Sequence, residues 1–282
     1  MAAVSLPSDT SGEAAAELRT WLRAHRRVFV LTGAGISTGS GIPDYRGPDG
    51  VWKRRAPITY QAFTRDAAMR ARYWARSFAG WPMVARAEPN AAHAALVRLE
   101  SRGEIRGLVT QNVDGLHTRA GQRDVLDLHG RIDRVICLQC RTPVARADVQ
   151  AELAAAHPDW NASLATIAPD GDADLERIDL DRVRPPICRT CGGMLKPDVV
   201  FFGENVPAER VDAAMQALRD ADAMLVVGSS LMVYSGFRFA RMARESGKPL
   251  AILTRGVTRA DPLASLKLDV DCVPALAAAA DF

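Results

Sequence analysis

The stretch VFVLTGAGISTGSGIPDYRGPDGVW, residues 28–52, decides how the rest of the chain is read. Residues 28–31 form a short apolar run with β-branched and aromatic members and no helical period, which predicts a buried strand. Gly33, Gly35, Gly39 and Gly41 follow at once. A strand that breaks into glycines is how a doubly wound sheet brings backbone N–H groups against a phosphate, because the missing Cβ admits close approach and positive φ. The third glycine comes one position later than in the usual dinucleotide fingerprint, and such a loop also occurs as a plain tight turn. Asp44, Tyr45 and Arg46 come next, a carboxylate and a guanidinium that a plain turn does not need.

Outward from this stretch the pattern repeats. Alanines, leucines and Trp21 over 12–25 predict an amphipathic helix, preceded by a loose tail at 1–11. Residues 54–89 read as helical pieces broken at Pro57 and Pro82, a helical lid or insert. A clearer helix spans 91–102. The strand at 105–110 runs into Gln111, Asn112, Val113 and Asp114, and the short strand at 124–128 ends in His129. Polar groups at the carboxyl ends of buried strands sit where open α/β sheets hold ligands. Residues 195–204 read as another strand, 207–221 as a helix, 223–227 as a strand broken by Gly228-Ser229-Ser230, and 236–246 as a helix. A strand at 249–253 and a short segment near 268–273 complete the order. Strand, polar tip and helix recur about six times, which predicts a doubly wound parallel, Rossmann-like α/β sheet.

Cys137/Cys140 and Cys188/Cys191 form two CxxC knuckles. A two-residue gap lets both sulfurs face one ion, and four thiolates in tetrahedral geometry suit Zn²⁺. The expected division is a nucleotide-binding domain over 12–53, 90–136 and 195–282, a zinc module over 137–194, and the insert at 54–89. Residues 141–187 are expected to hold a helix and a variable loop. The net charge of +3 leaves no strong footprint for nucleic acid. No apolar run reaches membrane-spanning length, and the N-terminus lacks a basic and apolar leader pattern. The expected place is the cytoplasm and the expected state a monomer.

The segments GAGISTGSGIPDYR, TQNVDGLH, LHGR, the two CxxC pairs, KPDVVFFGE and GSSLMV, in that order, resemble the sirtuins, NAD-dependent protein lysine deacylases. The segments at 72–82 and 256–262 are most similar to the lipoamidase-type subclass and its bacterial relatives. The resemblance implies a transferase that moves an acyl group from lysine to the ADP-ribose of NAD and releases nicotinamide. It assigns NAD contacts to Gly33, Ala34, Gly35, Ile36, Ser37, Asp44, Tyr45 and Arg46, to Gln111, Asn112, Val113 and Asp114, to Gly228, Ser229 and Ser230, and to Thr254, Arg255, Gly256 and Cys272. It makes His129 the catalytic base, with Asn112 and Asp114 beside it. Val199, Phe202 and Gly203 on one side, and Leu231 and Val233 on the other, would hold the substrate peptide as an added strand.

Thr254 stands where the family often has asparagine, and Tyr234-Ser235 where many members have a proline. Tyr73 and Arg76, at i and i+3 of a helix, could offer a hydroxyl and a guanidinium to an acidic acyl chain, or Arg76 could form a lid salt bridge. His129 on its own is equally a strand-end histidine bonded to backbone, and Asp114 a helix cap. The same NAD pocket would also serve a protein mono-ADP-ribosyltransferase or an NAD glycohydrolase.

Overall fold

The computed structural model describes residues 10–53, 57–158, 160, 166–167, 173–174 and 183–281. The start of the expected tail (1–9), the first residues of the insert (54–56) and most of the variable loop lie outside the described residues. In chain order the elements are α1 (Thr10–Ala24), β1 (Val28–Thr32), α2 (Tyr60–Arg65), α3 (Ala67–Arg86), α4 (Ala91–Ser101), β2 (Ile105–Thr110), α5 (Leu116–Arg119) and β3 (Val125–Asp127). Next come β4 (Gly130–Cys137), β5 (Pro143–Ala145), α6 (Arg146–Ala156), and the two-residue strands β6 (Thr166–Ile167) and β7 (Ala173–Asp174). The chain closes with β8 (Leu195–Val199), α7 (Ala208–Arg219), β9 (Ala223–Val227), α8 (Tyr234–Glu245), β10 (Leu250–Leu253), β11 (Leu266–Leu268) and α9 (Cys272–Ala279).

Among the described residues, six strands form one parallel sheet in the order β11-β10-β9-β1-β2-β3. All five residues of β1 are buried, as a central strand covered on both faces requires. Val28 and Val30 pack with Leu18, Leu96, Leu99 and Leu276 from α1, α4 and α9. Phe29 and Leu31 point the other way, to Leu218 and Phe239 of α7 and α8. The chain leaves β1 towards β2 and β3, then returns to place β9 on the opposite side. The switch point therefore lies between β1 and β9, and the crevice above their carboxyl ends is where such sheets bind ligands.

A second, antiparallel sheet has the order β5-β4-β8. The strand expected at 195–204 belongs here and not in the parallel sheet, and it ends at Val199. Thus β4 and β8, placed with the larger unit by the division drawn from sequence, pair with each other beside the cysteines. Pairing in a second sheet leaves no trace in apolar content, so the strand reads the same in either place. Two further boundaries move: α8 begins at Tyr234, and the segment at 268–273 is instead the end of β11 followed by the start of α9.

The break expected at Pro82 is absent, because α3 runs through it. Proline has no N–H for the carbonyl one turn back, which here is that of Phe78. That carbonyl accepts instead from Gln150 Nε2 of α6 at 3.0 Å. Packing against α6 thus supplies the bond that the proline removes.

Candidate functional site

The two turns at the switch point interlock. Gly35 N–H donates to Gly228 O at 2.8 Å and Gly33 N–H to Val227 O at 3.1 Å. A Cβ on Gly35 would lie 2.9 Å from Gly228 Cα, and one on Gly33 2.7 Å from Ser229 Cβ. Gly228 has φ +62, and a Cβ there would strike the backbone of Gly35 and Ile36. No residue with a side chain fits this seam. Above it opens a cavity of about 620 Å³, within the roughly 300–1,000 Å³ of small-molecule clefts. Gly33, Ala34, Gly35, Ser37, Asp44, Tyr45, Arg46, Gln111, Asn112, Val113, Asp114, His129, Gly228, Ser229, Ser230, Thr254, Arg255 and Cys272 line it. So do Val199, Phe202, Gly203, Leu231 and Val233.

His129 enters from the tip of β3. Its Nδ1 lies 2.9 Å from Gln111 O and its Nε2 2.8 Å from Ser235 Oγ. A carbonyl only accepts, so Nδ1 carries the proton and Nε2 keeps its lone pair, with the Ser235 hydroxyl donating to it. Burial lowers the histidine pKa to about 4, aided by the nearby Arg210 and Arg238. The imidazole is therefore neutral at pH 7, and its basic nitrogen, capped by the Ser235 hydroxyl, lies at the cavity wall. Val200 N–H donates to the His129 carbonyl at 2.8 Å, which ties the 199–203 stretch to the same point.

Asn112 Nδ2 donates to Gly33 O and to Ser37 Oγ, each at 3.0 Å. The Ser37 hydroxyl donates in turn to Asp114 Oδ2 at 2.8 Å, and Leu116 N–H donates to Asp114 Oδ1 at 2.9 Å. Burial raises the Asp114 pKa against these two bonds. Gln111 Nε2 donates to Ser229 Oγ at 2.7 Å, and Ser229 Oγ accepts from Leu231 N–H at 3.2 Å. Leu231 has φ +55, unusual for a residue with a branched side chain, and this turns 231–233 along the cavity wall.

A buried chain of polar groups supports this floor. Thr32 Oγ1 donates to Thr110 Oγ1 at 2.8 Å, and Asn112 N–H donates to the same Thr110 oxygen at 3.1 Å. The Thr32 proton is thus used, so His117 Nε2, 2.9 Å away, donates to Thr32 and leaves its Nδ1 a bare acceptor. His93 Nδ1 accepts from Asn90 N–H, which puts the His93 proton on Nε2. Neither His93 Nε2 nor His117 Nδ1 has a partner among the described residues, and the two rings lie 4.8 Å apart. The leftover donor and the leftover acceptor are of complementary kind. Burial lowers both pKa values, that of His93 to about 4, so both rings are neutral.

The four Sγ atoms of Cys137, Cys140, Cys188 and Cys191 lie within 4.8 Å of one another. The Cys137–Cys191 and Cys140–Cys188 separations are 3.5 and 3.7 Å. Tetrahedral zinc with Zn–S of about 2.3 Å requires sulfurs about 3.8 Å apart. The donor set and its spacing fit zinc. Gly193 lies against two of the sulfurs, where a Cβ would be 3.0 Å from Cys137 Sγ.

The family model described as the Sir2 family matches residues 33–235. The chain belongs to the Sir2 family. A protein from Xanthomonas campestris named NAD-dependent protein deacetylase is 55% identical over 260 residues, 92% of this chain and 89% of its own. One of the same name from Bordetella pertussis is 56% identical, over 92% of this chain and 95% of its own. The Bos taurus mitochondrial NAD-dependent protein lipoamidase sirtuin-4 is 48% identical, over 91% of this chain and 82% of its own. Among solved structures, one described as Sir2-p53 peptide-NAD+ aligns with TM-score 0.73 and 32% identity, covering 92% of this chain and 94% of that one.

In this sirtuin four of the residues singled out in the sequence stand away from the cavity wall. Ile36 is fully buried in the core beneath the loop. Gly256 backs onto Pro48, and its N–H donates to Asp269 at 2.7 Å. Tyr73 is buried edge-on against Phe63, 5.3 Å between ring centres, and lies behind Phe201. Arg76 is one turn further along α3, and neither lines the cavity. The helical spacing of Tyr73 and Arg76 is real, but it cannot show that Phe63 and Phe201 enclose the Tyr73 ring.

Trp52, Lys53 and Arg238 also line the cavity, though the sequence reading gives them no role. Trp52 stacks under Arg46 at 4.0 Å and meets Phe202 edge-on, closing residues 44–53 onto the far wall. Lys53 pairs with Asp44 in the same loop. Ser235 and Arg238, one turn apart on α8, face the cavity together.

Proposed function

We propose that this sirtuin is an NAD-dependent protein lysine deacylase, removing acyl groups from lysine side chains of protein substrates. The arrangement of His129 supports this reading most directly. Its unprotonated Nε2 faces the one cavity shared by the glycine seam and by the two stretches 199–203 and 231–233. Its curated relatives are named deacetylases, and the solved relatives include peptide and NAD complexes. NAD, when bound, supplies an electrophilic ribose carbon whose leaving group is nicotinamide.

The chain's own residues then have separable tasks. Gly33, Gly35 and Gly228 open the seam to a close backbone approach. Asn112, held by Gly33 O and Ser37, keeps its Oδ1 as the remaining acceptor at the cavity floor. Asp114, fixed by Ser37 and Leu116, places a carboxylate beside it. His129 takes a proton from a hydroxyl at Nε2, and its bond to Gln111 O keeps the ring oriented as it does so. Val199, Phe202, Leu231 and Val233 flank an extended peptide. Cys137, Cys140, Cys188 and Cys191 would hold zinc, which would tie β4 to the 188–195 segment, and none of the four lines the cavity.

A cytoplasmic, monomeric protein belongs to the same proposal, and four cysteines arranged to hold a metal suit a reducing compartment. Mass spectrometry of the products from an acyl-lysine peptide and NAD tests the activity. The expected products are the free lysine peptide, nicotinamide and O-acyl-ADP-ribose. Modified protein or free ADP-ribose in their place would instead support the transferase or glycohydrolase reading.

A further inference from the structure

Beside the cavity the exposed surface carries an aromatic ring ringed by cations. Tyr234, at the first turn of α8, is 45% exposed, and its neighbour Val233 is 37% exposed. The guanidinium carbons of Arg238, Arg241 and Arg259 lie 5.2, 5.7 and 6.0 Å from the Tyr234 ring centre. They come from two separate segments, since Arg259 sits in the loop after β10, where its Nη1 donates to Met232 O. Three like charges around one ring repel, and a ring quadrupole offsets only part of that cost.

Internal acids do not neutralise the group. Arg241 pairs with Glu245 on its own helix at 3.4 Å, with both side chains more than half exposed, a weak contact. Neither Arg238 nor Arg259 has a carboxylate partner among the described residues. Arg238 also lines the cavity, one helical turn from the Ser235 that bonds His129. The patch is therefore continuous with the wall formed by 231–233.

We propose that Arg238, Arg241 and Arg259 form a subsite for the carboxylate side chains of a protein substrate, selecting sequences with Asp or Glu next to the acylated lysine. The inference rests on the deacylase reading. A peptide lying along 231–233 passes Tyr234, and its neighbouring side chains reach the three guanidinium groups. Arginine accepts a carboxylate through two parallel N–H bonds, which suits a fork of this kind. Long-range attraction from the same patch speeds encounter with acidic segments.

The test uses the whole protein and a set of acyl-lysine peptides with Asp, Ala or Lys on either side of the modified residue. Each is made with acetyl and with glutaryl chains. kcat/KM with NAD and affinity by fluorescence anisotropy are read in parallel. Two partly exposed pairs predict a preference for Asp over Ala of roughly five- to tenfold, mostly lost when salt rises from about 0.05 to 0.5 M. Arg259→Gln and Arg238→Gln each reduce the ratio, and Arg259→Glu shifts it towards Lys-flanked peptides.

Equal handling of Asp- and Ala-flanked peptides overturns the subsite. So does a preference that survives high salt and both glutamine variants, or one that follows the glutaryl carboxylate and ignores the flanks. Absence of turnover with every peptide would count against the deacylase reading alone, because the affinity ratio still decides the subsite.

Discussion

Replacing His93 by asparagine isolates one buried titration. His93 is fully buried, and its pKa lies at about 4 because burial disfavours the charged ring. In the unfolded chain the same group titrates near about 6.5. The unfolded state therefore takes up the proton first as pH falls, so stability is whole above about pH 6.5 and declines towards pH 4. At about pH 5 the two values correspond to a loss of about 2 kcal/mol from this residue. For a chain of this size that is about 3–4 °C in Tm. His129 has the same shift and contributes a similar loss.

The amide Oδ1 of His93→Asn can still accept from Asn90 N–H, so the cap on α4 is retained while the titration is removed. Urea unfolding at about pH 7.5 and about pH 5, followed by tryptophan fluorescence, gives the difference for each protein. The variant starts less stable, because a smaller side chain leaves space, but its loss between the two pH values is smaller by about 2 kcal/mol. An equal pH dependence in wild type and variant would refute the assignment of a neutral, buried imidazole at 93.

Other expectations follow from the same geometry. Cys188→Ser, or a strong chelator, should release about one zinc per chain by atomic absorption and loosen the β5-β4-β8 unit; full stability without metal would contradict the thiolate site. Gly228→Ala drives a Cβ into the Gly35 backbone and is expected to weaken NAD binding by at least about tenfold, at about 1–3 kcal/mol of stability; unchanged calorimetric affinity would show that the seam is not the NAD site. His129→Ala should abolish acyl transfer while largely sparing NAD affinity, and retained turnover would remove it as the base. Gln150→Ala leaves the Phe78 carbonyl bare at about 1–3 kcal/mol. Adding Pro82→Ala restores a donor within α3, so the double variant should recover part of that loss in thermal unfolding.

Much of this was legible because periodicity and strand-end chemistry survive in sequence. The apolar run at 28–31 and the polar tips at 111–114, 129 and 228–230 mark where the parallel sheet presents groups, and these converge on one cavity. The CxxC knuckles announce four thiolates that do meet. What escaped depends on partners distant in the chain. Pro82 reads as a helix breaker until Gln150, 68 positions later, supplies the missing donor. Residues 195–199 look like any buried strand until β4 claims them. Tyr73 and Arg76 share a helix face, yet Phe63 and Phe201 decide what the Tyr73 ring touches. Ser235 is a helix-start serine in sequence, and only the return of α8 to β3 makes it a partner of His129.

The seam between residues 33–35 and 228 has a consequence for how the protein comes to be competent. Its two halves are almost 200 positions apart, so bringing them together costs the closure entropy of a long stretch of chain. A dinucleotide that fits only the completed seam would act as an inspector of the finished article, holding closed whatever has assembled correctly and offering nothing to a chain that has not.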